Sequence, residues 1–319
     1  EQLKEMYAKD IKAQGAMAVL LRDALKPNLI QTIEGTPALM HTGPFANIAH
    51  GTSSILSTDI ALRLFDYVVI EAGFGADLGA EKFFNIVTRA GDFKVDACVI
   101  ITTIRALKEH GSGNLKKGFP NLEKHVENMR NFGVPVVVAI NRFPDDTDEE
   151  IELIQDHCSK KDVQVEVSEV FAKGSKGGKS LAKAVIQTIK TNPPKEINYT
   201  YALEDDLVTK IEKVATKIYG AQGVIYTTGA KGIIRSLEKR GYGNLPICIA
   251  KTQFSLSDNK GLIGRPTGFN VEVSGADVSN GAGFVVIYMG DISLMPGLPE
   301  VPAAEAMDVD DEGNISGVF

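Results

Sequence analysis

Residues 67–85 read YVVIEAGFGADLGAEKFFN and combine acidic side chains with clustered glycines. A short apolar run, typical of a buried strand, is followed by a turn and then by the start of a helix. The turn carries Gly73, Gly75 and Gly79. Backbone N–H groups at such a corner can bind an anion, and Glu71 and Asp77 are suited to hold a hydrated cation beside it. An ordinary tight turn between a strand and a helix is the alternative interpretation.

Polar and aromatic residues follow two further strands predicted at 134–140 and 163–167. Asn141 comes directly after the first, where nucleotide-binding sheets place an Asn that reads a base edge. Phe143 and Phe171 lie just past the carboxyl ends of the two strands. Rings in these positions are suited to stack on a flat heterocycle, although core packing is the commoner fate of a Phe.

A second glycine loop, residues 174–180, reads GSKGGKS between a predicted strand and a helix. Its outer glycines enclose three residues, whereas a phosphate-binding loop needs four, so the loop has the wrong size for a β-phosphate. Lys173, Lys176 and Lys179 could instead attract a ligand that carries a carboxylate, or they could simply be solvated.

Strands, loops and helices alternate in the part of the chain that holds these residues. Strands predicted at 96–104, 134–140 and 163–167 are followed by helical patterns, which implies parallel βαβ units in a doubly wound sheet. Open sheets of this kind bind ligands at the carboxyl ends of their strands. Residues 191–195 (TNPPK) are the best linker candidate, and the end of the chain predicts a small α+β or mainly β unit.

Composition narrows the possible partners. The 319 residues suffice for two or three domains, and 44% hydrophobic with 24% charged residues is usual for a soluble globular protein. A net charge of −7 argues against a nucleic-acid or anionic-membrane partner, and the apolar runs are too short to span a bilayer. A cytoplasmic protein is expected. Scattered Cys and His residues predict neither a disulfide framework nor a zinc site.

Several long motifs resemble those of one enzyme family. They are residues 29–38, 41–51, 71–86, 103–108, 121–125, 136–144, 243–248 and 295–299. In order and sequence these segments resemble formate–tetrahydrofolate ligase, also called 10-formyltetrahydrofolate synthetase. The resemblance extends over nearly the whole chain.

The resemblance implies an ATP-dependent ligase of one-carbon metabolism. ATP would phosphorylate formate to formyl phosphate, and N10 of tetrahydrofolate would attack the formyl carbon. Mg²⁺, a monovalent cation (K⁺ or NH₄⁺) and a homo-oligomeric assembly are implied in the same way. Positioning and charge neutralisation dominate phosphoryl transfer, so cationic groups should carry the first step.

The resemblance also assigns site residues. Phe143 and Phe171 correspond to the aromatic pair that sandwiches the pterin. The second aromatic is usually a Trp in relatives, and this chain has none, so weaker folate binding is expected. The remaining site residues are predicted from the sequence pattern itself: Lys173, within the lysine cluster, for the glutamate tail of the folate; Asn141, Gly73 and Gly75 for the nucleotide and its phosphates; and Glu71 and Asp77 for the metal.

The N-terminal motifs of the family do not occur in residues 1–319. The family's nucleotide loop, with the principal phosphate-binding lysine, is expected upstream of Glu1, so the chain resembles the C-terminal half to three-fifths of the enzyme. The expected fold is a P-loop NTPase-like, doubly wound, mainly parallel sheet with a smaller α+β C-terminal domain. The predicted divisions are 1–133, the rest of the nucleotide-binding domain; 134–250, the folate-binding domain; and 251–319, the small domain.

A different class of function stays open. The chain could be a non-catalytic module that binds a folate or another subunit and has lost phosphoryl transfer. A gene that continues upstream into a GxxxxGK[ST] loop supports the ligase, whereas a start codon near Glu1 supports the module.

Overall fold

The computed structural model describes residues 6–43, 46–193, 195–292, 301–313 and 315–317. This part of the chain forms a two-stranded hairpin, a three-stranded sheet, a four-stranded sheet and a second two-stranded pair. Helices pack on the two larger sheets. The chain is therefore a mixed α/β protein, as the sequence predicts.

The front of the chain is a small layer with a largely apolar surface. Its elements are α1 (Gln14–Leu21), β1 (Asn28–Gln31), β2 (Pro37–Met40) and α2 (Ile55–Leu64). The two strands form an antiparallel hairpin. Helix α2 begins where the Ser54 hydroxyl accepts a hydrogen bond from the Ser57 N–H at 2.9 Å, an ordinary N-cap. No residue of α1 is buried, so its apolar side chains face outward.

Residues 76–91 form a helical segment, called the central helix below, that lies between the two larger sheets. It has π-helical turns at Ala76–Ala80 and Phe83–Thr88 and ends as α3 (Arg89–Gly91). On one side Phe84 stacks on Phe132 with ring centroids 4.5 Å apart. On the other side Ile86 packs against Cys248. Its polar side chains are therefore removed from water and need internal partners.

Three parallel strands form the first large sheet. The elements are β3 (Cys98–Thr102), α4 (Ile104–His110), α5 (Leu115–Asn131), β4 (Val136–Asn141), α6 (Asp148–Lys160), β5 (Gln164–Ser168), α7 (Val170–Lys173) and α8 (Lys179–Thr191). The strand order is β3-β4-β5, and both pairs are parallel. Residues 136–140 are buried because β4 is covered on both faces. The three strands predicted in this region are confirmed.

A mixed sheet follows. The elements are α9 (Leu207–Val214), β6 (Gly223–Tyr226), α10 (Thr228–Lys239), β7 (Ile247–Ala250), β8 (Asn270–Ser279) and β9 (Phe284–Met289). Strands β10 (Asp308–Val309) and β11 (Ile315–Ser316) form the second two-stranded pair. Strand order β6-β8-β9-β7 places an antiparallel pair between two parallel ones. Strands from both sides of residue 250 thus share one sheet. The division at residues 133 and 250 stays a prediction.

Along residues 67–72, side chains that face solvent alternate with side chains that are less exposed. These residues pair with no strand in the described part of the chain, so the buried strand predicted for this run is wrong. Strand β3 also has a free edge, because only β4 pairs with it in the described part of the chain. Its Ile101 is 70% exposed.

The loop between β7 and β8 crosses to the helices of the parallel sheet. The Asn121 side-chain amide donates to the Gly264 carbonyl at 2.9 Å, and the Gly264 N–H donates to His110 Nδ1 at 3.1 Å. Arg265 makes two hydrogen bonds to Glu127, at 2.8 and 2.7 Å. Gly264 has φ +75°, and a Cβ atom there would lie 2.9 Å from the His110 carbonyl oxygen. The crossing therefore requires glycine.

An ion pair joins the central helix to the end of β7. Lys251 Nζ lies 2.8 Å from Asp77 Oδ2, and both side chains are buried. The ammonium also donates to the carbonyl oxygens of Thr252 at 3.1 Å and Ser255 at 2.5 Å. All three of its N–H groups therefore have acceptors. Since an isolated buried charge is costly, each member of the pair depends on the other.

Replacing Lys251 by Met should lower the free energy of unfolding by about 3–5 kcal/mol, because Asp77 would stay buried without its counter-charge. The control is Arg265→Gln, which breaks the partly exposed pair with Glu127 and should cost about 1 kcal/mol or less. Urea unfolding of the unchanged chain and both variants measures the difference. Equal effects of the two substitutions would contradict a stabilising role for the buried pair.

Candidate functional site

The glycine corner, residues 73–79, brings distant backbone segments into close contact. A Cβ atom on Gly79 would lie 1.7 Å from the Ala72 carbonyl oxygen, and one on Gly51 would lie 2.7 Å from the Gly79 carbonyl oxygen. Gly73 has φ +66° and open space around it, whereas a Cβ on Gly75 would lie 2.3 Å from Asp77 Oδ1 and 3.5 Å from His125 Cε1. Close backbone packing thus explains why positions 79 and 51 are occupied by glycine. Gly73 presents exposed backbone that a ligand can reach.

Asp77 is a buried carboxylate at this corner. Burial alone would raise its pKa, but the Lys251 ammonium and the nearby His125 outweigh burial and hold the pKa of Asp77 below its ordinary value. His125 Nδ1 lies 4.0 Å from Asp77 Oδ1. Burial lowers the pKa of His125, although the Asp77 carboxylate opposes this shift. The corner therefore contains one carboxylate matched by one ammonium.

The predicted cation ligands do not form a dedicated metal site in this arrangement. Asp77 is paired with Lys251, and Glu71 faces solvent. No group of three or more His, Cys, Asp or Glu side chains suited to a metal ion occurs among the described residues. Mg²⁺ held mainly by substrate phosphates and water would need fewer protein ligands. The assignment of Glu71 and Asp77 to a metal stays a prediction.

The principal phosphate-binding lysine stays a prediction as well. It is expected upstream of Glu1, before the first residue of the sequence, and Glu1 itself lies outside the described residues. Four lysines are buried in the described part of the chain, namely Lys82, Lys124, Lys210 and Lys251. Of these, Lys82 lies in the central helix and Lys251 lies directly after β7. Lys82 donates to the Asn47 carbonyl at 2.9 Å, and Lys251 is paired with Asp77. Neither ammonium could hold a phosphate without giving up these bonds.

Glu81 lies one helical turn after Asp77 in the central helix and is completely buried. Its Oε1 accepts a hydrogen bond from the Asn85 amide at 2.7 Å, and the same amide donates to the Thr200 hydroxyl at 3.0 Å. Burial raises the pKa of Glu81 to about 7, although Asn85 and Lys82 oppose the shift. This side chain is thus a carboxylic acid over most of the acidic range, and it can donate a hydrogen bond as well as accept one.

The predicted aromatic residues lie at the carboxyl edge of β4 and β5. Phe143 follows the end of β4, is half-buried and has the Arg105 guanidinium 5.4 Å from its ring centroid. Phe171 lies in α7, directly after β5, and is 90% exposed. The Arg142 N–H donates to the Ser168 carbonyl at 3.0 Å and ties the two loops together. Core packing therefore does not account for Phe171, whose ring is free to stack on a ligand.

Asn141 ends β4 at the same edge and is partly exposed, next to the loop that carries Phe143. Lys173 ends α7, where its ammonium pairs with Glu169 at 2.7 Å. The glycine loop that follows is a 3₁₀ turn, Gly174–Gly178, and its Ser175 N–H donates to the Glu34 carboxylate at 2.8 Å. That hydrogen bond lowers the pKa of Glu34. The turn resembles no phosphate-binding loop, in agreement with its length.

Helix α4 contacts both the aromatic edge and the loop between β7 and β8. Arg105 lies in its first turn, near Phe143, whereas His110 is its last residue and receives the Gly264 N–H. Burial lowers the pKa of His110, and the negative charge of Asp77 partly opposes this. Arg105, Lys251 and Glu81 are not among the site residues that the sequence predicts. The position of Lys251, directly after a buried strand, was a usable signal.

The raised pKa of Glu81 predicts a pH-dependent stability. Between its unfolded value near 4.5 and its folded value of about 7, the folded chain binds more protons, so stability falls as pH rises through this window. The loss should approach about 3 kcal/mol. Glu81→Gln keeps the acceptor for Asn85 but cannot ionise, so it should lack this loss. Urea unfolding of both proteins from pH 4.5 to 8 measures the difference. Parallel pH curves would contradict the assignment.

Comparison with known protein families agrees with this geometry. The family model described as formate–tetrahydrofolate ligase matches residues 1–319, the whole chain. The family ligates formate to tetrahydrofolate in one-carbon metabolism and is in general ATP-dependent. No helix in the described part of the chain has the length and apolarity needed to cross a membrane. The chain belongs to the formate–tetrahydrofolate ligase family.

Proposed function

We propose that this chain is the folate-binding portion of a formate–tetrahydrofolate ligase that forms 10-formyltetrahydrofolate through formyl phosphate. The observation that carries the proposal is the placement of Phe143 and Phe171 on neighbouring loops at the carboxyl edge of the parallel sheet. Phe171 exposes its ring there, as stacking on a pterin requires. Membership in the family supplies the reaction.

The residues at this edge would bind and orient the folate. The half-buried Phe143 ring, held by the Arg105 guanidinium, would contact one face of the pterin in a fixed position. The exposed Phe171 ring would contact the other face and can adjust its position to the ligand. Lys173 can exchange Glu169 for a carboxylate of the folate. A fixed pterin brings N10 to a formyl donor in one orientation, which is the main contribution that positioning makes to acyl transfer.

The phosphoryl-transfer part of the site is a separate proposal. ATP would lie at the exposed backbone of Gly73 and the partly exposed Gly75, with Asn141 as a further nucleotide contact, and it would supply the phosphoryl group that activates formate. Mg²⁺ would neutralise the phosphates, with Glu71 and Asp77 as the nearest carboxylates, and a monovalent cation would be a further requirement. A carboxylate at Asp77 could reach a metal only by leaving Lys251, so the described residues fit Mg²⁺ poorly and we assign no step to them.

Additional polypeptide upstream of Glu1 is proposed to complete the nucleotide-binding domain and to supply the phosphate-binding lysine. The free edge of β3 and the unpaired residues 67–72 both present backbone without strand partners in the described part of the chain. Ile70 and the partly buried Val95, just before β3, pack on one cluster formed with Phe83. An upstream strand between them would give the doubly wound, P-loop NTPase-like sheet. A cytoplasmic homo-oligomer is proposed for the complete enzyme.

Tetrahydrofolate titrated calorimetrically into the chain should bind saturably. Phe143→Ala and Phe171→Ala should each raise the Kd by about tenfold or more, because stacking on an aromatic ring contributes about 1–3 kcal/mol. Lys173→Met should have a smaller effect because its charge is exposed. Phe65→Ala, which removes an exposed ring at the end of α2, should leave the Kd unchanged.

Unchanged affinity in both edge variants would contradict the aromatic site. No binding by the folded chain would mean that the site requires the additional polypeptide. Formation of 10-formyltetrahydrofolate from ATP and formate by the natural gene product supports the ligase, whereas folate binding without turnover supports the non-catalytic module.

Hydrogen exchange tests the missing strand. In the 319-residue chain, amides of residues 67–72 should exchange rapidly because they have no strand partner. In a natural product that includes an upstream segment, their exchange should slow on the order of 100-fold. Amides of β4, already paired on both sides, serve as the control and should not change. Equal exchange of residues 67–72 in both proteins would contradict insertion of a strand.

A further inference from the structure

The ring of Phe171 receives little support from its own packing. Its side chain is almost fully exposed, and the helix that carries it, α7, is only 4 residues long. The position of the ring is therefore set by the backbone of residues 169–178, called the α7 loop below, which ends in the turn Gly174–Gly178. A contact that holds this loop also holds one aromatic ring of the proposed folate site.

Hydrogen bonds within the α7 loop fix its shape. The Glu169 N–H donates to the Gly177 carbonyl at 3.1 Å, and the Lys173 N–H donates to the Glu169 carbonyl at 2.9 Å. A Cβ atom on Gly177 would lie 2.4 Å from the Glu169 carbonyl oxygen, so the two ends of the loop are in close contact. Ser175 lies between these ends and is exposed, so a partner from another element is needed to hold it in place.

Glu34, at the tip of the β1–β2 hairpin, provides that partner. Its Oε1 accepts a hydrogen bond from the Ser175 N–H at 2.8 Å, across 141 residues of sequence. Gly174 has φ +56°, and a Cβ atom there would lie 2.5 Å from the same carboxylate oxygen. Glycine at position 174 therefore lets the carboxylate approach the backbone of the α7 loop closely.

The hairpin is built to hold this carboxylate in one place. The Gly35 N–H donates to the Thr32 carbonyl at 2.9 Å and closes the turn that carries Glu34. At the other end of β2, the buried His41 imidazole makes a hydrogen bond of 2.7 Å with the Ser54 hydroxyl, which caps α2. The tip is thus tied to the layer formed by α1, β1, β2 and α2, rather than to the α7 loop alone.

We propose that Glu34 is a positioning residue for the folate site, which fixes the α7 loop, and with it the Phe171 ring, through the Ser175 N–H. This inference rests on the proposed function, because it takes Phe171 as one face of the pterin site. Glu34 itself does not touch the ligand. When its hydrogen bond is lost, a smaller fraction of the molecules holds the ring in the binding position, and the apparent Kd rises in inverse proportion to that fraction.

Titration of tetrahydrofolate into the 319-residue chain, followed by calorimetry, tests the role of Glu34. Glu34→Ala should raise the Kd about fivefold, the effect of losing one ordinary hydrogen bond. Glu34→Gln keeps an acceptor oxygen at the same distance from the backbone and should restore most of the affinity. Glu34→Asp keeps the charge but is one methylene too short to reach Ser175, so it should resemble Glu34→Ala.

The matched control is Asp59→Ala, which removes a carboxylate from α2 in the same layer. Asp59 pairs with Arg63 at 2.9 Å, so its loss should leave the Kd unchanged. If Glu34→Asp binds like the unchanged chain while Glu34→Gln does not, the charge of the carboxylate matters rather than the hydrogen bond, and the proposal is overturned. Tighter binding by Glu34→Ala would also overturn it, because the carboxylate would then compete with the ligand.

Ser175→Pro removes the same hydrogen bond from the donor side. In this background Glu34→Ala should have no further effect on the Kd, because the two substitutions delete one interaction. Hydrogen exchange gives a readout without ligand, since the Ser175 amide should exchange about fivefold faster in Glu34→Ala. An undiminished effect of Glu34→Ala beside Ser175→Pro, or an unchanged exchange rate, would contradict the assignment.

The Phe171→Ala variant separates this inference from the proposed function. If Phe171→Ala weakens binding and Glu34→Ala does not, Glu34 has no positioning role and the aromatic site stands. If Phe171→Ala has no effect, both fail. Should the 319-residue chain bind no folate, the same variants of the natural gene product decide the question: Glu34→Ala should raise the KM for tetrahydrofolate about fivefold and leave kcat unchanged. An unchanged KM would overturn the proposal.

Discussion

The burial of a polar helix between two sheets is the constraint on which the rest of the structure depends. The central helix carries Asp77, Glu81 and Lys82 at positions with almost no solvent contact. Each ionisable group is accommodated differently. Asp77 keeps its charge because Lys251 neutralises it, Lys82 donates to the Asn47 carbonyl at 2.9 Å, and Glu81 is stable as a neutral acid. The glycine corner is therefore supported by the mixed sheet as much as by its own backbone.

This arrangement relates the two halves of the candidate site. The aromatic edge belongs to the parallel sheet, whereas Asp77 is anchored through the mixed sheet. Helix α4 reaches both, with Arg105 against Phe143 at one end and His110 at the other. Because α4 is only 7 residues long, a displacement at one end moves the other as a rigid unit. The aromatic edge and the loop between β7 and β8 are thus held by the same short helix.

Sequence alone predicted what depends on local pattern. Apolar runs identified β3 and β4, the alternating pattern VQVEV at residues 163–167 identified β5, and the carboxyl-edge rule placed Phe143 and Phe171 on neighbouring loops. The sequence alone could not identify Lys251 as the partner of Asp77, because the choice of a counter-charge depends on tertiary packing. The raised pKa of Glu81 follows from burial on both sides of its helix, which no local pattern encodes. The interleaving of β8 and β9 between β6 and β7 likewise depends on long-range pairing.

The loop that crosses from β7 to β8 constrains how the chain can fold during synthesis. Asn121, buried in α5, bonds to Gly264 across 143 residues of sequence. At about 5–20 residues per second, a ribosome needs roughly 7–30 s to translate that interval. During this time α5 can form and pack on the parallel sheet, but the Asn121 side-chain amide lacks its native acceptor, the Gly264 carbonyl. The N-terminal sheet therefore stays incomplete until the loop emerges, and contacts of such long range favour slow final folding.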